Sequence, residues 1–245
     1  MATQAWLTKA GISSQLVHTY LKGGWIERIG RGAYVRAGET VKWKGMVYSL
    51  QKHAHQPVWP GGQTALAMQG YAQYLYMGRE MVYLFGMPGN RLPTWVGEGD
   101  WGATIEYRAP ALFDIDSDGV QGMGHLDVSA GTFGSLFLTL SSMERAVFEM
   151  LHYVKDEAQF GHAAEILQGL VNLRPGVMQL HLEQCRSIKT KRLVMFFGEH
   201  FRQPWYAKVD QSRIDLGSGK RQIVKGGALN RRFEITVPRN FAGGA

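Results

Sequence analysis

Residues 5–36 read AWLTKAGISSQLVHTYLKGGWIERIGRGAYVR, and their pattern predicts the fold of the N-terminal part. Its spacing of apolar residues and glycines predicts a short helix at 5–10, a turn at Gly11 and a second helix over 14–22. Residues 25–36 have the pattern of a two-stranded hairpin. Helix, turn, helix and hairpin in this order form a winged helix-turn-helix, which reads DNA with its second helix.

Local signals set the ends of the second helix. Ser13 is a favourable N-cap, because its hydroxyl can accept from free amides of the first turn. Gly23 and Gly24 end the helix, and Gly30-Arg31-Gly32 forms the hairpin tip. One side of the helix is apolar and is expected to be half-buried. That side consists of Leu16, Val17, Tyr20 and Leu21.

The other side of the second helix is polar and carries no acidic residue. It consists of Ser14, His18 and Lys22, with Gln15 and Thr19 beside them. Hydroxyl, amide, imidazole and ammonium groups are donors suited to base edges and phosphates in a major groove. Arg31 at the wing tip can reach a phosphate or a minor groove. The alternative is a helical hairpin packed on a larger domain, with a merely solvated polar face.

Length and composition agree with a globular chain. The 245 residues can form one large domain or two, and the apolar fraction is 45%. The single cysteine, Cys185, excludes an internal disulfide and fits a reducing compartment. We find no signal sequence and no apolar run long enough to span a membrane. A cytoplasmic location is therefore expected.

The net charge of +7 is unevenly distributed. Residues 1–60 hold 8 Lys/Arg and 2 Asp/Glu, residues 61–185 hold 6 and 14, and residues 186–245 hold 13 and 4. Two basic ends thus flank an acidic middle. Basic surfaces attract polyanions or acidic partners.

The remainder of the chain predicts a mixture of helices and strands. Helices are expected at 43–55, at 64–70 with Thr64 as a possible cap, after a capping box at 141–144, at 156–173, from Pro175 and around Leu193. Strands are expected at 81–85, 103–107, 133–140, 222–225 and 233–237. The fold class is therefore α+β: a winged helix-turn-helix at 1–39 and a larger mixed α/β domain with a helical core at 40–245. The larger domain divides into sub-modules at 40–138 and 139–245.

Four motifs resemble ligand sites but are incomplete. Asp114–Gly119 begins like a calcium loop, yet His125 stands where a bidentate glutamate is needed. Gly217–Arg221 lacks the first glycine and the final hydroxyl of a phosphate loop. His181 and Cys185 have no further clustered ligands for zinc, and His53 and His55 point to different sides of a helix. The sequence predicts no catalytic residues, no metal and no cofactor.

The C-terminal part is notable for its cations. Three cations, Lys189, Lys191 and Arg192, lie within four consecutive residues at a helix start, where the helix dipole disfavours positive charge. Lys220 and Arg221 extend the basic region, followed by Lys225, Arg231 and Arg232. We expect these groups to bind an external anion or an acidic partner, and that neutralising 189, 191 and 192 impairs function without unfolding the chain. The alternative is a solvated rim.

The chain resembles the AbiEi antitoxins of type IV toxin–antitoxin systems, in the branch with a winged-helix N-terminus. The matching stretches follow the order of the family over nearly the full length. They are AWLTKAGISSQLVHTYLKGGWIERIGRGAYVRAG, GGQTALAMQGYAQYL, LSSMERAVFEML, CRSIKTKRLVMFFGEH and IDLGSGKRQIVKGGALNRRFEITVP.

This resemblance implies a function for each part. The N-terminal domain would bind inverted repeats in its own promoter, in two copies, and repress the operon. The C-terminal domain would counter a toxin similar to nucleotidyltransferases, without a stable complex. The implied DNA-reading residues are Ser13, Ser14, Gln15, His18, Thr19, Lys22 and Arg31. The implied antitoxin or polyanion-binding residues are Lys189, Lys191, Arg192, Lys220 and Arg221.

One departure from the family concerns the first helix. Family members usually carry another helix before the stretch that starts here at Ala5, and this chain begins almost at the turn-helix pair. We expect either that another part of the chain fills the position of that helix, or that the true start lies upstream.

Other functions remain open at this point. A regulator without a toxin partner would share the N-terminal pattern. An RNA-binding module would share the basic ends and prefer single strands or hairpins. An enzyme would need a pocket of perturbed acids, for which the acidic middle is the place to search. A protein-interaction domain would show no salt-sensitive binding of nucleic acid.

Overall fold

The computed structural model describes residues 1–71, 78–113 and 136–242. These fall into two compact units. Of the described residues, the first unit contains 1–60, 78–110 and 136–140, and the second contains 61–71, 111–113 and 141–242. Both units mix helices with short three-stranded sheets, so the predicted α+β class is confirmed.

The first unit begins with the predicted winged helix-turn-helix. Its elements are β1 (Ala2–Thr3), α1 (Gln4–Lys9), α2 (Ser14–Lys22), β2 (Ile26–Gly30) and β3 (Ala33–Arg36). The strands form an antiparallel sheet in the order β1-β3-β2, with Ala2 opposite Tyr34 and Glu27 opposite Val35. Strand β1 was not predicted, because two residues are too short to show alternation.

Capping side chains set the starts of both helices, and a glycine forms the turn between them. Thr3 caps α1 by accepting from the Trp6 amide, and Ser13 caps α2 by accepting from the Leu16 amide at 3.2 Å. Gly11 has φ +82°, a left-handed conformation that lets the chain turn sharply between the helices. The predicted limits of α2 are confirmed.

The remainder of the first unit is a small mixed sheet with helices. Its elements are α3 (Trp43–Tyr48), which continues as a π-helical turn (Ser49–His53), then β4 (Val58–Pro60), β5 (Glu80–Gly86), α5 (Trp95–Glu98) and β6 (Ala103–Arg108). The order is β4-β5-β6, with β4 antiparallel and β6 parallel to β5. Trp43 Nε1 donates to Glu80 Oε2 at 2.9 Å and joins α3 to this sheet.

The second unit is mostly helical. Its helices are α4 (Gly62–Met68), α6 (Met143–His152), α7 (Glu157–Gly169), α8 (Pro175–Gln184) and α9 (Ile188–His200). Its strands are β7 (Arg221–Gln222), β8 (Ala228–Asn230) and β9 (Ile235–Val237), in the order β7-β9-β8. Phe148, Phe160 and Phe197 are fully buried, as expected for a helical core.

A buried polar network corrects two predicted helix starts. Glu149 accepts from the Gly62 amide at 2.9 Å and from the Ser141 hydroxyl at 2.7 Å, and it pairs with Arg145. A carboxylate on α6 thus stabilises the N-terminus of α4, which begins two residues before Thr64. The predicted capping box is also wrong, because Ser142 caps α6 while Ser141 and Glu144 serve other partners.

The predicted strand at 133–140 is wrong where it can be compared. Residues 137–140 form no strand, and positions 133–135 lie outside the described residues. The Gln51 side chain takes the place of a strand partner: its Nε2 donates to the Thr139 carbonyl at 2.7 Å, and its Oε1 accepts from the Thr139 amide at 3.0 Å.

Further differences lie in the second unit. Helix α7 ends at Gly169 instead of residue 173, with Asp156 as its N-cap. The tail has three short strands where two longer ones were predicted, and Ala228–Asn230 was missed. The calcium-like motif at 114–119 and His125 lie outside the described residues.

Candidate nucleic-acid interface

The rotation of α2 is fixed by its contacts with α1 and the hairpin. Val17 is 2% exposed and packs with Leu7 and Tyr34 in one apolar cluster. Leu21 is partly buried and packs against this cluster. Because residues three and four apart share a helix face, this anchoring turns the polar positions outward.

The predicted apolar side of α2 is only partly buried. Val17 and Leu21 are on the buried side, whereas Leu16 and Tyr20, predicted on the same apolar side, are 39% and 40% exposed. Leu16 lies about 100° around the helix from Val17, and Tyr20 about 100° from Leu21, so the narrow α1–hairpin cluster does not cover them. Trp6 and Trp25 are also exposed in this part of the chain.

The five predicted polar positions of α2 are all exposed. They are Ser14, Gln15, His18, Thr19 and Lys22. The Thr19 hydroxyl donates to the Gln15 carbonyl, and the Ser14 hydroxyl accepts from Gln4 Nε2 at 3.4 Å. Within residues 1–71, 78–113 and 136–242, the side chains of Gln15, His18 and Lys22 have no hydrogen-bond or ion-pair partner. These groups are therefore available to an external ligand.

Ser13 has a different role from the other polar positions. Its hydroxyl is the cap of α2 and accepts from the Leu16 amide. The residue is exposed and lies at the N-terminal end of α2. In proteins of this fold, that end of the second helix enters the groove. A helix N-terminus also favours a phosphate nearby.

The wing is short and packs against α5. A bulge between Arg28 and Gly30 precedes the tip, and Gly32 has φ +80°. A Cβ on Gly30 would lie 2.8 Å from Trp95 Cβ, so only glycine allows this approach to α5. Arg31 is exposed, and its amide donates to Glu98 Oε2 at 2.6 Å.

Two further cations of the wing were not singled out from the sequence. Arg28 is exposed, and its guanidinium carbon lies 5.9 Å from the centre of the Tyr34 ring. Arg36 is exposed and pairs loosely with Glu39 at 3.8 Å. Side chains two apart along a strand share a face, so alternation would place Arg28 with Ile26 and Arg36 with Tyr34. This signal would therefore not have identified the two cations as exposed.

The cations at the start of α9 are largely interior. Lys191 and Arg192 are 4% and 2% exposed, and Lys189 Nζ donates to the His152 carbonyl at 3.0 Å. Burial lowers the pKa of Lys189. The Lys189 ammonium interacts favourably with the negative C-terminal end of α6. The three cations are therefore engaged within the chain and are not, as was expected, free to bind an external anion.

Arg192 organises the loop that carries the second basic pair. Its Nε donates to the Leu216 carbonyl at 2.7 Å, its Nη1 to Gly219 at 2.6 Å and its Nη2 to Gly217 at 3.1 Å. Nη2 also lies 3.3 Å from Glu234 Oε2. Arg192 is thus a buried scaffold for the loop.

Lys220 and Arg221 are exposed at the end of this loop. Within the described chain, their side chains have no ion-pair partner. The structure therefore brings the two predicted basic groups together: the buried one shapes the loop, and the exposed one is available to a ligand.

The carboxylates buried in the second unit are engaged with arginines. Glu144 accepts from the amide and the guanidinium of Arg174, and Glu149 pairs with Arg145 at 2.9 Å. Burial alone would raise the pKa of Glu144, but the Arg174 contacts outweigh it and the pKa lies below its usual value. Among the described residues, no three His, Cys, Asp or Glu side chains could hold a metal ion.

No helix among residues 1–71, 78–113 and 136–242 combines the length and the apolar character needed to cross a lipid bilayer. His181 and Cys185 are both buried. Cys185 donates weakly to the Ser187 carbonyl, and the His181 ring packs against Phe113 and Phe148. Both residues are core members.

A helix-turn-helix with a wing, followed by a larger α+β unit, defines a class of transcription regulators. Two family models match the chain. "Transcriptional regulator, AbiEi antitoxin N-terminal domain" matches residues 1–77, and "Transcriptional regulator, AbiEi antitoxin, Type IV TA system" matches residues 79–238. The chain belongs to the AbiEi family of type IV antitoxin transcriptional regulators, which confirms the resemblance found in the sequence.

A solved structure shares the fold. The crystal structure of the Rv2827c protein from Mycobacterium tuberculosis superposes with a TM-score of 0.57 at 13% sequence identity. The match covers 94% of this chain and 82% of the other. No curated protein matches the sequence.

Proposed function

We propose that the chain binds inverted repeats in the promoter of its own operon by inserting α2 into the major groove. Ser13, Ser14, Gln15, His18, Thr19 and Lys22 would meet bases and phosphates. Arg31 would contact the backbone from the wing. Two copies on one operator follow from the two-fold symmetry of an inverted repeat, and bound copies would repress the operon.

The observation that carries this proposal is the two-sided character of α2. Val17 and Leu21 hold one side on the core, while the opposite side is exposed, polar and free of acids. A free ammonium near phosphates favours binding through counterion release, and an imidazole can form hydrogen bonds with base edges.

We further propose that residues 40–245 counter a toxin similar to nucleotidyltransferases, without a stable complex, while residues 1–39 bind DNA. Lys220 and Arg221 are the exposed cations proposed to contact a polyanion or the toxin's substrate. Lys189, Lys191 and Arg192 contribute to the same site by holding the loop in place.

Operator binding tests the first proposal. In a gel-shift titration on the promoter fragment, His18→Ala/Lys22→Ala should weaken binding by about 10- to 100-fold. The salt dependence should fall by about one unit per copy, because one phosphate contact is lost. Lys52→Ala removes an exposed cation outside α2 and should bind like the unmodified chain.

Two results would contradict the DNA proposal. One is unchanged operator affinity in the double variant with an intact circular dichroism spectrum. The other is preferential binding of a hairpin RNA competitor over duplex DNA, which would favour an RNA-binding module.

Toxin rescue tests the second proposal. Co-expression of Lys220→Glu/Arg221→Glu with the toxin encoded beside it should restore growth less than the unmodified chain. The matched control, Lys155→Glu/Lys208→Glu, makes the same charge change at two other exposed cations and should rescue fully. Equal rescue by both variants would exclude Lys220 and Arg221 from antitoxin action.

A further inference from the structure

A cleft of about 800 Å³ in the second unit is not used by the proposed function. One wall is the C-terminal end of α9, with Phe196 and His200. The other wall is the end of β8 and the turn that follows it, with Leu229 and Asn230. Small-molecule sites have volumes of this order.

Three arginines line the cleft, and two of them are uncompensated. Arg232 pairs with Glu199 and donates to Gln211 Oε1 at 3.3 Å, so this pair adds no net charge. Arg202 and Arg231 are exposed, and their guanidinium groups have no hydrogen-bond or ion-pair partner in the described chain. The cleft therefore carries two guanidinium groups suited to phosphate oxygens.

The same cleft has a planar and apolar surface. The His200 ring is stacked on the buried Phe196 ring, with centroids 5.5 Å apart and an interplanar angle of 17°. Burial lowers the pKa of His200, which keeps the ring neutral near pH 7. Leu229 is 37% exposed and lines the cleft as well. Planar and aliphatic groups of this kind stack against nucleobases.

Asn230 adds a directional donor. Its Oδ1 accepts from the Phe233 amide at 3.0 Å, which orders the turn after β8. Because the carbonyl oxygen is used by the backbone, the amide Nδ2 of this side chain remains as a donor for a ligand in the cleft.

Arg202 occupies a position that favours glycine. Its φ is +49°, and its amide donates to the Glu199 carbonyl at 2.9 Å where α9 ends. Helices commonly end in this left-handed conformation with glycine, and other side chains are disfavoured there. A disfavoured arginine at the rim of a basic cleft is the kind of local strain found at binding sites.

We propose that this cleft binds a nucleotide, with its phosphates between Arg202 and Arg231 and its base against His200 and Leu229. A free nucleoside triphosphate and the terminal nucleotide of an RNA strand present the same chemistry. The cleft residues belong to the second unit and α2 to the first, so His18→Ala/Lys22→Ala should leave nucleotide binding unchanged.

Titration calorimetry of the full chain with ATP, GTP, CTP and UTP tests this proposal, beside fluorescence anisotropy with short single-stranded RNAs. Saturable binding of a triphosphate identifies the free nucleotide as the ligand, and binding of RNA alone identifies a strand end. Either result supports the proposal. No binding of either probe at millimolar concentration would overturn it, as would equally tight binding of pyrophosphate.

Arg202→Gly separates binding from folding. The glycine should relieve the left-handed backbone and raise the melting temperature, while affinity for the nucleotide falls about tenfold. Partial unfolding would lower both the melting temperature and the affinity, so it cannot explain a higher melting temperature together with a lower affinity. Lys155→Glu/Lys208→Glu, which changes exposed cations that do not line the cleft, should bind within about twofold of the unmodified chain. Unchanged affinity in both Arg202→Gly and Arg231→Ala would contradict the site.

Discussion

The amide of Arg31 donates to Glu98 Oε2 at 2.6 Å, so an acidic side chain lies directly against the tip of the wing. This contact orders the tip, but it also places a negative charge next to the residue proposed to meet the DNA backbone. The Glu98 carboxylate thus positions the wing and at the same time repels the phosphates of the proposed DNA ligand.

We expect Glu98→Gln to increase operator affinity by about two- to fivefold at moderate salt, because the amide can still accept from Arg31 while the repulsion of phosphates is lost. A gel-shift titration at two salt concentrations measures this, and the gain should shrink at the higher one. Glu165→Gln makes the same charge change on α7 and serves as the control. Weaker binding by Glu98→Gln would mean that the strength of the Arg31 contact matters more than the charge.

Arg192 should be a determinant of stability. Arg192→Met leaves the carbonyls of Leu216, Gly217 and Gly219 without their buried donor. We expect it to lower the free energy of unfolding by about 3–5 kcal/mol, measured by urea denaturation.

The matched comparison is Lys220→Ala/Arg221→Ala, which removes two exposed cations from the same loop. It should change the free energy of unfolding by no more than about 0.5 kcal/mol. If Arg192→Met were as stable as this double variant, the buried scaffold described above would be incorrect. The earlier expectation that residues 189, 191 and 192 can be neutralised without affecting the fold is replaced by this one.

The ion pair of Glu144 and Arg174 should make stability depend on pH. The pKa of Glu144 lies below its ordinary value of 4.5, so the pair contributes stability above pH 4.5 that is lost as the pH falls through the folded-state pKa. Arg174→Met should cost about 2–3 kcal/mol at pH 7 and progressively less below pH 4.

Arg213→Met is the control for this pair, because it breaks the exposed contact with Glu183 at 3.0 Å. Its cost should stay under about 1 kcal/mol at every pH. A cost of Arg174→Met that does not change with pH would show that Glu144 does not carry the effect.

The thiol of Cys185 should be inert in the folded chain. Burial raises its pKa to about 11, so only about one molecule in a thousand carries a thiolate at pH 8. We expect a thiol reagent such as DTNB to react only as fast as the second unit opens, with full reaction in denaturant. Rapid reaction under native conditions would contradict the burial.

The parts of this fold that the sequence predicts are those set by neighbouring residues. Helix α2 has its expected limits because Ser13, Gly23 and Gly24 act within one turn of its ends. The start of α4 could not be predicted, since the group that stabilises Gly62 is Glu149, distant in the chain.

In the candidate site too, features set by neighbouring residues could be predicted, and features set by distant residues could not. Exposure of His18 and Lys22 follows from helical spacing alone. The burial of Arg192 does not, because its acceptors lie on a loop 24 or more residues later and a count of charges carries no information about them. The cleft at Arg202 and Arg231 likewise depends on how β8 packs near the end of α9.

Affinity cleavage from α2 tests directly whether this helix reads the operator. Because Cys185 is inert, a Gln15→Cys variant can be labelled selectively with an iron chelate that cuts nearby DNA. On the promoter fragment it should cut within both halves of the inverted repeat, whereas Ser212→Cys, exposed in the second unit, should not give that pattern. Bound DNA left uncut by the Gln15→Cys chelate, or cut identically from both positions, would contradict α2 as the reading helix.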